Sequence, residues 1–424
     1  MRVVVLGAWH LGAIAAAVNA DWGRDVTVWD RDVVTREALR RCRAMVREPG
    51  LDTLLEGAGD RLTIADDPAK ALGAADVALI AYDTPVNARD ELDLTPVDAA
   101  ARLVAEHGRP SILLVVHSQV PVGYGRRIAS DLAARQRHDI LVTVTPENLR
   151  LGQAIAAFRA PGHLAIGGVD DLARDAACVF WGPTGANLVR TDTSTAEMSK
   201  HIINATLATA TALGNELGEM AAACGADPVG AALLAKKDER LAKLPIVPGL
   251  PVGGGTLARD LRLVAATMGT PSLAAAVVDA GDRRLTALLD RLVAAAGPEG
   301  VVILGLTYKP GTSATRRSVG VTLARSLAEQ GIPVRVFDPD VPAAENPLVG
   351  EAAITIAGSL SEAIADARTV AITTGHSAWL DVSAIEQIDR DPIVVHDLVG
   401  VYSGQQGAFT RALLIGPCSS DACR

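Results

Sequence analysis

Gly7-Ala8-Trp9-His10-Leu11-Gly12 has the plainest chemical pattern in the chain. A β-branched run, Val3 to Leu6, precedes it and an Ala-rich stretch follows. Val26 to Trp29 then reads as a second strand ending at Asp30. Glycines at this spacing, with an acidic residue about 20 positions on, are the layout of a dinucleotide-binding βαβ unit. Gly7 would make the tight turn, Gly12 would let helix and strand pack closely, and Asp30 would hold the ribose hydroxyls. The middle glycine, which admits the pyrophosphate to the backbone, is replaced by Trp9. An indole there either blocks the cofactor or is turned elsewhere by a tilt of the loop. Asp30 favours NAD, because a carboxylate repels a 2′-phosphate; Arg31 beside it leaves NADP open.

Lys200 and Asn204 form a second group. They lie four apart in Ser194 to Cys224, which reads as one helix of roughly 45 Å. Ser194 and Glu197 have capping-box spacing, and Gly225 supplies a stop with Pro228 beyond it. By themselves the pair fits a solvated lysine and a surface asparagine. Glu147 follows a strand, Ile140 to Val144. Val77 to Ala81 and Ser111 to His117 are similar strands, leading into Asp83-Thr84-Pro85 and Ser118-Gln119-Val120-Pro121. Ligands of open α/β sheets sit at such strand ends. Glu147 fits a functional carboxylate and a solvated one equally well. Gly253, Gly254 and Gly255 cannot belong to a stable helix and allow close backbone approach to a ligand. Thr256 comes directly after them, and Asp260 follows four residues later.

The elements that must position these residues alternate between α and β. The pattern restarts at Val301 to Leu304, continues with a helix from Val319 to Gln330 and a strand from Val334 to Phe337, and ends with strands at Ala371 to Thr374 and Ile393 to Val395. Residues 225–298 read as helical apart from the loop Pro248 to Gly255. The fold class is α/β: two Rossmann-like doubly wound domains joined by a long central helix and a helical segment. The boundaries fall at 1–192, 193–297 and 298–424. With 424 residues and 49% hydrophobic residues, sizeable cores are expected. A net charge of −9 argues against a nucleic-acid partner. Five scattered cysteines argue against a disulfide framework, and the eight histidines show no metal-ligand spacing. Cys418 and Cys423 have no partner pair and fit a loose tail. The apolar run Ala13 to Ala20 is explained by the βαβ unit rather than by a signal peptide. No segment has the length and polarity of a membrane span. The expectation is a soluble, cytoplasmic protein.

In this order, the motifs resemble the UDP-glucose and GDP-mannose dehydrogenase family over almost the whole chain. The resemblance runs through Gly7 to Asp30, Thr84-Pro85 with Asp93-Leu94, Ser118 to Gly123, Thr145 to Gly152, Lys200 to Asn204, Asn215-Glu216-Leu217, Arg240, the glycine loop, Gly305 to Ser318 and Val334 to Pro339. It implies NAD as cofactor, a nucleotide sugar as substrate, a C-terminal nucleotide-sugar domain and a homodimer built on the central helix. It places Lys200 and Asn204 at the reacting carbon. Asp260 would order a water with Lys200, and Glu147 would assist proton transfer. Arg240 would contact substrate across the dimer, with Lys309, Gly253 and Gly254 also on the substrate. Thr84, Pro85, Gln119 and Arg316 join Gly7, Trp9, Gly12 and Asp30 on the cofactor side.

The departures cluster at the chemistry. The family's cysteine, which carries a thioester between two oxidation steps, is Thr256 here. A hydroxyl lacks a thiolate's nucleophilicity without a dedicated base. Leu151, Gln119, Val247 and Val399 also stand where the resemblance expects a carboxylate, a threonine, a basic residue and an arginine. The leading reading is therefore an NAD-dependent oxidoreductase limited to one two-electron alcohol/carbonyl step. Two alternatives stay open: a non-redox enzyme or internal-redox epimerase using Lys200 and Asp260, and a non-catalytic binding subunit.

Overall fold

The computed structural model describes residues 1–84, 92–252, 256–269, 271–380 and 394–399. Pro85, Gly253, Gly254, Cys418 and Cys423 lie outside the described residues. The chain divides into two compact units, Met1–Ile203 and Asn204–Arg424.

The first unit is built on an eight-stranded sheet. Its strands are β1 (Arg2–Leu6), β2 (Asp25–Trp29), β3 (Leu62–Ile64), β4 (Val77–Ile80), β5 (Leu113–Val116), β6 (Leu141–Val144), β7 (His163–Gly168) and β8 (Asn187–Thr191). Their spatial order is β3-β2-β1-β4-β5-β6-β7-β8, with β6 and β7 antiparallel and the other pairs parallel. The first six follow the dinucleotide-binding order, which reverses between β1 and β4 and opens a crevice there. Strands buried on both faces need continuous apolar runs. In β1, Val3 and Val5 pack on one side with the alanines of the helix His10–Asp21, and Val4 and Leu6 pack on the other.

The central helix spans Thr193–Ala223, 31 residues or about 46 Å. The expected capping box does not form. Asp192 takes the cap position, accepting from the Thr195 N–H at 3.0 Å and the Thr195 hydroxyl at 2.6 Å. Glu197 instead accepts from the N–H groups of Gly123 (2.5 Å) and Gly125 (2.7 Å) at the start of the helix Tyr124–Ala134. The carboxylate there satisfies two helix-start donors that have no intrahelical acceptor. A capping box would have given it one. At the other end Gly225 is left-handed (φ +76), and Ala226 N–H and Gly225 N–H reach Ala221 O and Ala222 O, a Schellman stop.

In the second unit the segment after the central helix is less helical than expected. Helices cover Pro228–Ala235, Leu257–Met268 and Leu273–Ala295, but residues 236–252 run in turns. Pro245, Pro248 and Pro251 each lack a backbone donor and prevent a helix from continuing. A five-stranded parallel sheet follows: β9 (Val301–Leu304), β10 (Val334–Phe337), β11 (Ile354–Ile356), β12 (Thr369–Ile372) and β13 (Val394–Asp397), in the order β11-β10-β9-β12-β13. The helix Val319–Glu329 packs on it through Val321, Leu323, Ala324 and Leu327. Among the described residues no helix is long and apolar enough to cross a membrane, and no group of histidines, cysteines and carboxylates could hold a metal ion.

The two units repeat one device. Gly7 (φ +94) and Gly305 (φ +104) turn the chain at the ends of β1 and β9, donating to Trp29 O and Phe337 O. Gly12 and Gly320 pack so closely that a Cβ would lie 1.8 Å from Gly7 O and 2.2 Å from Gly305 O. Asp30 and Asp338 brace the two turns: each accepts from the backbone of its turn, Ala8 N–H at 2.7 Å and Leu306 N–H at 2.6 Å.

Candidate active site

The turn after β1 has the shape of a dinucleotide loop. A Cβ at Gly7 would come within 2.7 Å of the Tyr82 backbone, so no other residue fits without moving the segment that follows β4. Asp30 is 5% exposed, and its Oδ1 accepts from Asp32 N–H at 2.9 Å. Burial pushes its pKa up, against the pull of the two backbone N–H groups. Trp9 occupies the N-cap position of His10–Asp21, half-buried, and its side chain makes no capping bond. The donors of that first turn are thus not taken up by a cap and suit a pyrophosphate. The Thr84 hydroxyl donates to Gln119 O at 2.9 Å, drawing together the ends of β4 and β5 beside the crevice. The turn, the uncapped helix start and the braced acid fit a dinucleotide.

Glu147, Asn148 and Lys200 form a second cluster in the same unit. Lys200 is 6% exposed, so the picture of a solvated lysine fails. Its Nζ lies 3.5 Å from Glu147 Oε1 and donates to Asn148 Oδ1 at 3.4 Å. Glu147 Oε2 accepts from Leu149 N–H at 2.6 Å, and its own N–H donates to His117 O. Burial works to raise the Glu147 pKa, but the Lys200 ammonium and the Leu149 N–H hold it below the usual carboxylate range. His117 touches the Thr145 carbonyl through Nδ1 and packs against Trp181 and Phe158; burial lowers its pKa.

The sign of the Glu147 shift sets a pH dependence. A carboxyl whose folded pKa is depressed stabilises the fold above its unfolded value, about 4.3, and that contribution is lost as pH falls through the folded value. The Tm gap between the wild-type chain and Glu147→Gln should therefore narrow below about pH 4.3. Denaturation scans at descending pH check this, and a gap of constant size would contradict it.

In the second unit Asn204 Nδ2 donates to Asp260 Oδ2 at 2.5 Å, and Arg259 Nε lies 3.4 Å from Asp260 Oδ1. Asp260 is fully buried and Arg259 nearly so. Nothing in the sequence marks Arg259 as buried, because a charged residue in a helix's first turn reads as exposed. Thr256 stands exposed at the N-cap of Leu257–Met268; its carbonyl accepts from Asp260 N–H, and its hydroxyl makes no capping bond. The segment before the glycines is pinned to the central helix. Asn215 accepts from Gly249 N–H at 2.7 Å and donates to Leu250 O at 3.1 Å. Gly214 and Gly218 leave room for Ile246 and Pro248. Arg284, also unforeseen, donates to Gly249 O and to Glu219. Arg240 is exposed and paired with Asp238 at 2.6 Å. Lys309 and Arg316 are exposed on the loop between β9 and its following helix.

Three family descriptions match in order: the UDP-glucose/GDP-mannose dehydrogenase NAD binding domain over residues 1–180, the central domain over 194–283 and the UDP binding domain over 302–404. The chain is 31% identical over 421 residues to a UDP-glucose 6-dehydrogenase of Rhizobium meliloti, covering 95% of this chain and 96% of that one. It is 29% identical to the UDP-glucose 6-dehydrogenase TuaD of Bacillus subtilis, over 82% of this chain and 78% of the other. A UDP-glucose dehydrogenase structure from Pyrobaculum islandicum superposes with a TM-score of 0.86 at 27% identity, covering 98% of both chains. The cofactor turn after β1 thus lies in a domain described for NAD, and the chain belongs to the UDP-glucose/GDP-mannose dehydrogenase family of NAD-dependent enzymes that act on CH–OH groups.

Proposed function

We propose that this enzyme oxidises a primary alcohol of a nucleotide sugar to the aldehyde and stops there. The balance is R–CH2OH + NAD⁺ → R–CHO + NADH + H⁺. When bound, NAD takes the hydride. Lys200 with a water removes the hydroxyl proton, and Glu147 passes it on as the carboxylate partner of that lysine. Asn204 holds the oxygen: its amide has two N–H donors, and Asp260 engages one. Asp260 also orients the water. Thr256 carries the reading. Its exposed hydroxyl heads the helix that bears Asp260, where the family resemblance places a thiol. Going on to the acid requires a covalent attacker, and an unassisted hydroxyl is a weak one. Arg240, Lys309 and the glycines Gly253 and Gly254 are assigned to the substrate, and Arg316, Thr84, Pro85 and Gln119 to the cofactor.

A homodimer through the central helix fits the surface of that helix. Met198, Ile202, Leu213, Leu217 and Met220 recur at helical spacing and are 43–60% exposed. An apolar stripe of that length marks an interaction face.

The test is stoichiometry. With UDP-glucose and GDP-mannose as probes, absorbance should register one NADH per sugar, and mass spectrometry should find aldehyde. Thr256→Cys should raise the yield towards two NADH and release the uronic acid. Two NADH and acid from the unaltered chain would defeat the one-step limit. Sugar epimerised without net NADH would favour the internal-redox alternative.

A further inference from the structure

Glu48 lies in the turn before the helix Leu51–Gly57, outside every motif assigned so far. Its side chain is 1% exposed. One oxygen, Oε2, faces His10 Nε2 at 3.1 Å and accepts from Gly152 N–H at 2.9 Å; the other, Oε1, accepts from Ala154 N–H at 2.8 Å. Burial works to raise its pKa, yet these partners hold it below the usual range. The carboxylate is therefore ionised, and His10 Nε2 must carry the hydrogen.

The three partners come from two functional segments. His10 opens the helix of the NAD turn, directly after Trp9. Gly152 and Ala154 end the loop that begins at Glu147. That loop has few backbone bonds of its own, so Glu48 supplies the restraint that a strand or helix would otherwise give. Opening it would break two charge-assisted bonds and leave a buried carboxylate short of donors, which is costly.

We propose that Glu48 is a positioning residue that ties the Glu147 loop to the NAD turn through His10, so that a cofactor seated on that turn orders the loop. By linkage, a ligand that orders the loop strengthens NAD binding by the same factor. The tie stands whichever reaction Glu147 serves.

Hydrogen exchange on the full-length chain, with and without NAD, tests this. In the wild type, NAD should slow exchange in the peptide 148–158 by about fivefold or more. His10→Phe keeps a ring but removes the donor; it should lose that slowing while the peptide 7–18 is still protected by NAD. His10→Gln, whose amide can donate to Glu48, should retain it. Glu48→Gln should speed exchange of 148–158 in the absence of NAD. Equal slowing in wild type and His10→Phe would overturn the tie, as would protection of 7–18 in the wild type without any at 148–158.

Discussion

Lys200→Ala is expected to lower kcat by about two to four orders of magnitude, the usual span for losing a positioned acid–base group. Any loss of NAD affinity should be much smaller than the loss of rate, because Lys200 bonds to the Glu147 loop and reaches the NAD turn only through the Glu48 tie. The lysine is nearly buried and its partners are Glu147 and Asn148, so the change also strands a carboxylate. Glu147 keeps 19% exposure and water can reach it, so the stability loss should be about 1–3 kcal/mol. Lys200→Arg should not rescue the rate. A guanidinium cannot give up its proton near neutral pH, and its planar fork does not match a point contact. The double variant Lys200→Ala with Glu147→Ala should regain part of the stability and none of the rate. Steady-state kinetics with a thermal-denaturation cycle separate the two effects, and a Lys200→Ala enzyme within tenfold of wild type would remove the lysine from the chemistry.

Gly12→Ala should cause the largest loss of stability in the first unit. The added Cβ would lie 1.8 Å from Gly7 O and 2.7 Å from the Gly7 carbonyl carbon, both backbone atoms that cannot rotate away. The helix His10–Asp21 would have to lift off β1, although its face from Ala13 to Val18 is completely buried. A destabilisation above about 4 kcal/mol is expected, which is exceptional for one methyl group. NAD binding should fail in any folded fraction, since the same shift moves the helix start. Gly57→Ala is the control: an added Cβ there meets open space in a helix, and a gain of about 0.5–1 kcal/mol is expected. Denaturant unfolding of the three proteins decides it, and equal stability of Gly12→Ala and wild type would refute the close packing.

The βαβ turns were legible because their glycines and acids lie within one short window and between strands of continuous Val and Leu. The central helix was legible from length and composition. The strands β3 and β11 have three residues each and leave no periodic trace, and β7 and β8 are diluted by His163, Gly167, Gly168 and Asn187. Lys200 and Asn204 could be picked out, but their burial could not, because Glu147 and Asp260 lie more than fifty positions away. The same distance hid the roles of Glu48, Glu197 and Arg284. Glu48 and Arg284 carry charges that read as solvated, Glu197 reads as part of a local capping box, and the partners of all three belong to other elements. The misplaced capping box is one instance: local spacing suggested Ser194, whereas the nearer donors for Glu197 came from another helix's start.

The twin aspartates differ in what they have left to offer. An ionised carboxylate has about four acceptor sites. Asp30 gives one to Ala8 N–H and one to Asp32 N–H. Asp338 accepts from Leu306 N–H, Thr307 N–H, the Thr307 hydroxyl and Asp340 N–H. The N-terminal acid keeps about two acceptor sites open, whereas in its C-terminal twin three donors crowd Oδ2 and about one site is left on Oδ1. Two copies of one hinge thus leave unequal room, and a diol would meet more free acceptors at the first than at the second.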